Sequence, residues 1–486
     1  MKNYLSKSKV LSGRQCVKRL FLEVHKPQLA AQAKVTDRLL SRGLEVHEVA
    51  RRQYPDGILI SHDDNLSMAI EDTKQVLLRN PSSTIFEATF QHDGVLVRSD
   101  VFIRASSGFN LIEVKSSTRL KNYQVEDCAV QAWVIQGHGL SLDSVQVVVL
   151  NNSFVYPGGG SYSGLFRFED CTEAVLDLQN EVPVWIDEFR RALDGPEPTT
   201  EIGPQCGTPF QCPFLDYCSL GVPCTDYPVT CLPKHGKIVS RLVEEGFKDI
   251  RDIPEDRLEN ATLERIRRST VSGFPEIDPA VGEYLRSFEY PRYFLDFETI
   301  DFPIPIWAGT RPYQHIPFQW SCHCRKDSSI LDHKEFLDDT GNLPMKEFAK
   351  SLLDALGHEG PIFVYSHYEK RILNELGIFL PDLRSDLENL TKRLVDLLKI
   401  VKGGYYHPLM KGSFSIKAVL PTITSGQTYE MLGEVADGIA AQEAYLEIIN
   451  PSTPAGRKSV LRKSLLDYCG LDTMSLVQLV DFFEQN

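Results

Sequence analysis

The spacing of apolar residues changes character along the chain. Over residues 35–52 and 66–78 they recur every three or four positions, which predicts helices. Residues 84–90, 95–104 and 109–116 turn to runs rich in Val, Ile and Phe, which predict three consecutive strands. A helix is expected over 123–137 and a strand over 145–150. The triple glycine Gly158-Gly159-Gly160 marks a turn, with a short strand at 166–168 and a helix over 172–193 after it. Around 242–254 the pattern breaks at Gly246 and Pro254 into short helical pieces, and a new apolar strand opens at 292–300. The expected organisation is an α/β domain over 1–223, a helical linker over 224–288 and a second α/β domain over 289–486.

At 486 residues the chain exceeds what one core supports, in keeping with more than one domain. A hydrophobic content of 42% and a charged content of 24% are those of a soluble globular protein. No stretch approaches the roughly 20 apolar residues that cross a bilayer, and the first residues lack the apolar core of a signal peptide. A cytoplasmic protein with no membrane partner is therefore expected. The net charge of −14 lowers the expectation of tight non-specific binding to nucleic acid. It does not exclude a nucleic-acid partner, because metal sites are built from Asp and Glu and bound cations offset them locally. Basic residues still cluster at 115–121 and 264–268.

Two sets of acids stand out against this background. In Leu111-Ile112-Glu113-Val114-Lys115 the two-residue period puts Glu113 and Lys115 on one strand face, and a hairpin from the preceding strand brings Asp100 alongside. Adjacent carboxylates favour a hard divalent ion such as Mg²⁺ or Mn²⁺, and a neighbouring lysine can act on the attacking water or on phosphate charge. The plain alternative is a surface hairpin with a solvated Glu–Lys pair. Gly43-Leu44-Glu45-Val46-His47 lies upstream on a predicted helix, and Gln131-Ala132-Trp133 downstream on another. The second set begins with Asp296-Phe297-Glu298, two acids on one face of an apolar strand, costly to bury without a compensating cation. Near the C-terminus Tyr468 and Asp472, four residues apart, share a helix face.

The first arrangement resembles the RecB-like branch of the PD-(D/E)XK nucleases. That resemblance implies a restriction-endonuclease-like fold, with His47, Asp100 and Glu113 as metal ligands, Lys115 catalytic and Gln131 lining the site; Tyr123 and Gln124 are secondary candidates for substrate contact. Cys206, Cys212 and Cys218 recur in a Pro/Gly-rich segment, with Cys16 far upstream. Clustered cysteines in a reducing compartment are more often metal ligands than disulfides. The set is similar to the iron–sulfur clasp of the CRISPR-associated RecB-like exonucleases, though with a longer gap between the second and third ligands. Four thiolates suit a [4Fe–4S] cluster, and Zn²⁺ accepts the same ligands. Cys224 and Cys231 are near enough in sequence to substitute, while Cys128, Cys171, Cys322, Cys324 and Cys469 read as packing residues.

The second set resembles the Asp-Glu-Asp-Asp exonuclease superfamily of RNase H-like fold, in its Tyr-x3-Asp subgroup (DEDDy). Asp296, Glu298 and Asp472 are then metal ligands and Tyr468 orients the attacking water. Glu369, in Val364-Tyr365-Ser366-His367-Tyr368-Glu369, takes the place of the middle Asp, with Asp396 as the fallback. The segment 412–417 is expected to open a helix near the substrate path or simply to cap one. The whole chain resembles a bacterial family that joins a RecB-like nuclease to such a domain. The implied function is a metal-dependent nuclease of DNA repair, recombination or defence, acting on DNA ahead of RNA. The alternatives are an RNA-trimming 3′–5′ exonuclease active only at the C-terminal site and a non-catalytic nucleic-acid-binding scaffold.

Overall fold

The computed structural model describes residues 5–31, 37–61, 65–80, 83–220, 225–233, 236–255, 257–424 and 433–486. The chain forms two compact units, Met1–Val222 with Phe302–Gln314, and Pro223–Asp301 with His315–Asn486. Both combine helices with mixed sheets. No helix among the described residues is long and apolar enough to cross a membrane.

The first unit runs β1 (Leu5–Ser6), α1 (Lys7–Gln15), α2 (Val17–His25), α3 (Asp37–Arg51), β2 (Ile58–Leu59), α4 (Leu66–Arg79), β3 (Ile85–His92), β4 (Val95–Arg104), β5 (Phe109–Val114), α5 (Asn122–Gly137), β6 (Leu142–Leu150), β7 (Phe166–Asp170), α6 (Thr172–Asp177), α7 (Val182–Asp194) and α8 (Leu215–Ser219). Its sheet has the order β2-β3-β4-β5-β6-β7, with β1 beside β4. Asp93 and Gly94 both take positive φ (41° and 67°), the backbone a two-residue hairpin between β3 and β4 requires. β5 and β6 are parallel, so α5 must cross over one face of the sheet between them. On that face Val130 and Val134 of α5 bury with Phe90, Val97, Phe102, Leu111 and Val147. The helix expected over 172–193 is two helices, because the chain turns at 178–181 and restarts with Pro183 in the first turn of α7.

The second unit contains α9 (Gly236–Glu244), α10 (Ala261–Ser272), β8 (Glu276–Ile277), α11 (Pro279–Arg286), β9 (Arg292–Ile300), β10 (Ile316–Arg325), β11 (Leu331–Leu337), α12 (Met345–Leu356), β12 (Ile362–Val364), α13 (Tyr368–Phe379), α14 (Arg384–Lys392), β13 (Leu394–Asp396), α15 (Leu397–Gly404), β14 (Tyr405–Tyr406), α16 (Ile416–Val419), α17 (Gly438–Ile449) and α18 (Ala455–Gln485). The five-stranded sheet has the order β11-β10-β9-β12-β13, with β9, β10 and β11 antiparallel and β12 and β13 parallel to β9. β8 and β14 form a separate antiparallel pair. α18 is held to the acid-bearing face by Gln319 Nε2, which donates to Leu465 O (2.7 Å), and by Thr473 Oγ1, 2.9 Å from Ser321 Oγ.

The stretch expected as a linker does not stand alone. Val229, Leu242, Ile250, Leu263, Ile266 and Leu285 bury in one core with Phe294, Phe363, Leu397, Tyr405 and Leu479. Helices this short cannot bury an apolar stripe without a neighbour, so they pack against the second sheet domain.

Candidate active sites and a thiol cluster

Register builds the first carboxylate site. Val101 of β4 lies opposite Ile112 of β5, so Asp100 and Glu113 are the next residues along. Asp100 is buried and its Oδ2 accepts a hydrogen bond from Val114 N (2.7 Å). His47, delivered by α3, has Nδ1 3.6 Å from Asp100 Oδ1. Glu87 sits between the pairs Phe86–Val101 and Ala88–Ser99, hence level with Asp100, and it has the unusual φ of 56° for a strand residue. His47, Glu87 and Asp100 each place a ligand atom within 4.8 Å of the others, the reach of one cation. Glu87 also pairs with Arg51 (2.5 Å).

Glu113 belongs to an adjoining network instead. Lys115 Nζ donates to Glu113 Oε1 (2.6 Å) and to Asp127 Oδ2 (2.7 Å). Lys7 Nζ donates to the same Glu113 oxygen (2.7 Å), and Gln131 Nε2 to Glu113 Oε2 (2.7 Å). Burial works against the charge on Glu113, but Lys115 and Lys7 overcome it and hold the carboxyl below its ordinary range. Burial together with the Glu113 charge pushes Asp100 up to about 6, against the pull of His47, Lys7 and Lys115. Lys115 opens onto a cavity of about 570 Å³ lined also by Ser116, Ser117, Arg119, Lys121 and Tyr123. Tyr123 is thus placed for contact with a ligand there. Gln124 lines the same cavity, but its amide is committed to the start of α5, accepting from Lys121 N (2.9 Å).

In the second unit Asp296 and Glu298 project from one face of β9, and α18 brings Asp472 to them; ligand atoms of the three lie within 4.8 Å of one another. Burial, then the charges of Asp472, Glu369 and Glu298, pushes Asp296 well above the ordinary carboxyl range. Glu298 is raised in the same way, first by burial and then by Asp472, with Lys417 pulling the other way. Glu369, in the first turn of α13, is 3% exposed, and its Oε2 has no hydrogen-bond partner. Burial, followed by the Asp396 charge, pushes it up to about 8. Buried acids of this kind stay neutral unless a cation joins them. Asp396 is itself occupied as the N-cap of α15, accepting from Lys399 N (3.2 Å). Tyr468 is buried, with the Lys417 amine 5.5 Å from its ring centre. The segment 412–417 therefore both opens α16 and supplies a cation to this site.

Cys16, Cys206, Cys212 and Cys218 all line one small cavity, closed by Leu22 and Phe214. Cys16 follows α1, and Cys212 N donates to Cys206 O (2.8 Å) across the cysteine loop. Burial pushes the Cys212 and Cys218 thiols up. A tetrahedral zinc site with Zn–S near 2.3 Å needs sulfurs about 3.8 Å apart. Four thiols around one cavity are a donor set that either a [4Fe–4S] cluster or Zn²⁺ accepts. Cys231 belongs to the second unit, where it packs at the edge of the core. Cys224 lies outside the described residues. Cys128, Cys171, Cys322, Cys324 and Cys469 are buried, and Cys469 Sγ also lies 3.7 Å from Asp296 Oδ2.

Four residues of these sites escaped sequence reasoning. Asp127 had a readable signal, four residues before Gln131 on one helix face, and Glu87 is a lone acid in the apolar strand Ile85-Phe86-Glu87-Ala88. Lys417 lay in a segment singled out only as a helix start. Lys7 carried no signal at all.

Residues 293–415 match a family described as a domain of unknown function (DUF2779). That span includes Asp296, Glu298 and Glu369 and stops short of Tyr468 and Asp472. No curated protein matches the chain.

Proposed function

We propose that the chain is a metal-dependent nuclease that hydrolyses phosphodiester bonds, with a RecB-like PD-(D/E)XK site in the first unit and a DEDDy-type, RNase H-like site in the second, acting on DNA ahead of RNA. The observation that carries this reading is the convergence of Asp296, Glu298 and Asp472 within one cation's reach, beside a buried Glu369 with an orphaned oxygen. The RNase H-like assignment is supported by a mixed sheet whose central strand bears two acids and whose last helix bears the third with Tyr468. The PD-(D/E)XK assignment is supported by the hairpin and parallel crossover that gather Asp100, Glu113, Lys115 and Gln131.

A bound divalent ion supplies Lewis acidity, acidifying water and offsetting phosphate charge. Asp296, Glu298 and Asp472 would hold it in the second unit, with the buried Glu369 adjoining them, and His47, Glu87 and Asp100 in the first. Tyr468 offers a hydroxyl to orient water, and Lys417 adds positive charge where a phosphate would sit. In the first unit Lys115 reaches both Glu113 and the cavity and is placed to steady the attacking water. The four thiols fit an iron–sulfur cluster with a structural role, tying the start of the chain to the end of the unit.

A second reading, in which only the C-terminal site cuts, rests on the Glu113 oxygens being taken by Lys7, Lys115 and Gln131. One assay decides between them: cleavage of single- and double-stranded DNA and RNA, labelled at either end, with Mg²⁺ or Mn²⁺. Lys115→Ala and Asp296→Ala are each expected to remove one activity by about 10²–10³-fold. Cleavage untouched by Lys115→Ala selects the second reading. An intact, metal-loaded protein that cuts nothing overturns both.

A further inference from the structure

Lys7 is the first residue of α1, and Cys16 follows its last. At about 1.5 Å per residue this nine-residue helix spans about 13 Å. At one end the Lys7 amine is inserted between two acids that are each only 2% exposed, 2.7 Å from Glu113 and 3.3 Å from Asp127. At the other end Gln15 Nε2 donates to Gln205 O (2.7 Å) and Phe210 O (2.6 Å), both in the cysteine loop, and the Cys16 side chain lines the thiol cavity. Between the ends the helix has little freedom. A Cβ on Gly13 would lie 2.8 Å from the Phe189 ring, and the Arg14 guanidinium stacks on Trp185 at 4.0 Å while pairing with Glu126 at 2.7 Å.

We propose that α1 is a strut through which the four-thiol cluster seats Lys7 on Glu113 and Asp127, so that Lys7 is a positioning residue of the first carboxylate site and the state of the thiols controls that site. Its consequence for cleavage rests on the nuclease reading above; the seating of Lys7 does not. With Lys7 withdrawn, Asp100, Glu113 and Asp127 keep Lys115 but lose one cation. A divalent ion then binds more tightly, while a phosphodiester meets one positive charge fewer. A residue that merely packed the site would weaken both on removal.

The test uses the full chain, purified with its thiol-bound metal, and acylation of lysines by an N-hydroxysuccinimide ester read by peptide mass spectrometry. Lys7 is expected to react about tenfold more slowly than the exposed Lys399, and about tenfold faster in Cys16→Ala and Gln15→Ala than in the wild type. Gln15→Ala keeps all four thiols, so it decides the matter even if Cys16→Ala does not fold. Calorimetric titration with Mn²⁺, with Asp296→Asn in every chain to silence the second site, gives the other arm. Lys7→Met is expected to bind about fivefold more tightly, Lys7→Arg like the wild type, and the Lys7→Met/Cys16→Ala double variant no differently from Lys7→Met. An unchanged Lys7 acylation rate in both anchor variants, or weaker Mn²⁺ binding by Lys7→Met, overturns the proposal. A wild type that binds Mn²⁺ and cuts nothing would defeat the nuclease reading while leaving the acylation arm to decide the strut.

Discussion

In the first unit Asp100, Glu113 and Asp127 are buried but met by two amines, Lys7 and Lys115, and Glu113 stays ionised below its ordinary range. In the second, Glu298 and Glu369 are buried and Asp296 is half-buried beside them, with Lys417 as a more distant cation, and all three are pushed upward. The same burden, carboxylates out of water, is met by close lysines in one case and left largely uncompensated within the protein in the other. The first site is organised by its own cations. In the second, burial and mutual repulsion favour the protonated carboxyls.

The strongest way to break this contrast is to remove one charge from each site. Lys115→Met leaves the buried Glu113 and Asp127 with Lys7 alone and is expected to cost about 3 kcal/mol in urea unfolding with EDTA present. Glu298→Gln relieves repulsion and is expected to stabilise the metal-free second unit by about 1–3 kcal/mol. Equal signs for the two would refute the distinction.

Protons should sharpen it next. The folded-state pKa of Glu113 lies below the unfolded value, so its stabilisation is present above about pH 4.5 and is lost as pH falls through the folded value. Asp100, raised to about 6, opposes part of this. Asp296, Glu298 and Glu369 run the other way: their folded-state pKa values are raised, so metal-free stability falls as pH rises above the ordinary carboxyl range, for Glu369 from about 4.5 to about 8. Peptide-resolved hydrogen exchange in EDTA should show the second unit loosening across that window, and Mn²⁺ should reverse it. A second unit indifferent to pH would mean its acids are ordinary.

The smallest of these effects concerns Glu369. Glu369→Gln is expected to weaken Mn²⁺ binding at the second site about tenfold and to flatten its rise with pH near 8, followed by calorimetry. An unchanged titration would remove Glu369 from the ligand set.

Much of this could be read beforehand from local pattern. The strands 95–104 and 292–300 lie where apolar runs put them, because β-rich sequence bounded by turn residues has few other places to go. The two-residue period located Glu113 with Lys115 and Asp296 with Glu298, and helical spacing located Tyr468 with Asp472. The fate of 224–288 was not legible in the same way, since amphipathic helices show that they need a partner without showing which one.

What the sequence determined by itself, then, is the identity and local geometry of each acid pair and the four cysteines that could meet. Those follow from backbone periods acting over a few residues. Only the tertiary structure decided which cations reach which acids. Lys7 meets Glu113 across 106 positions of chain, and Glu87 stands level with Asp100 through strand register. Long-range charge pairing has no local signature, because it depends on which elements the cores bring together.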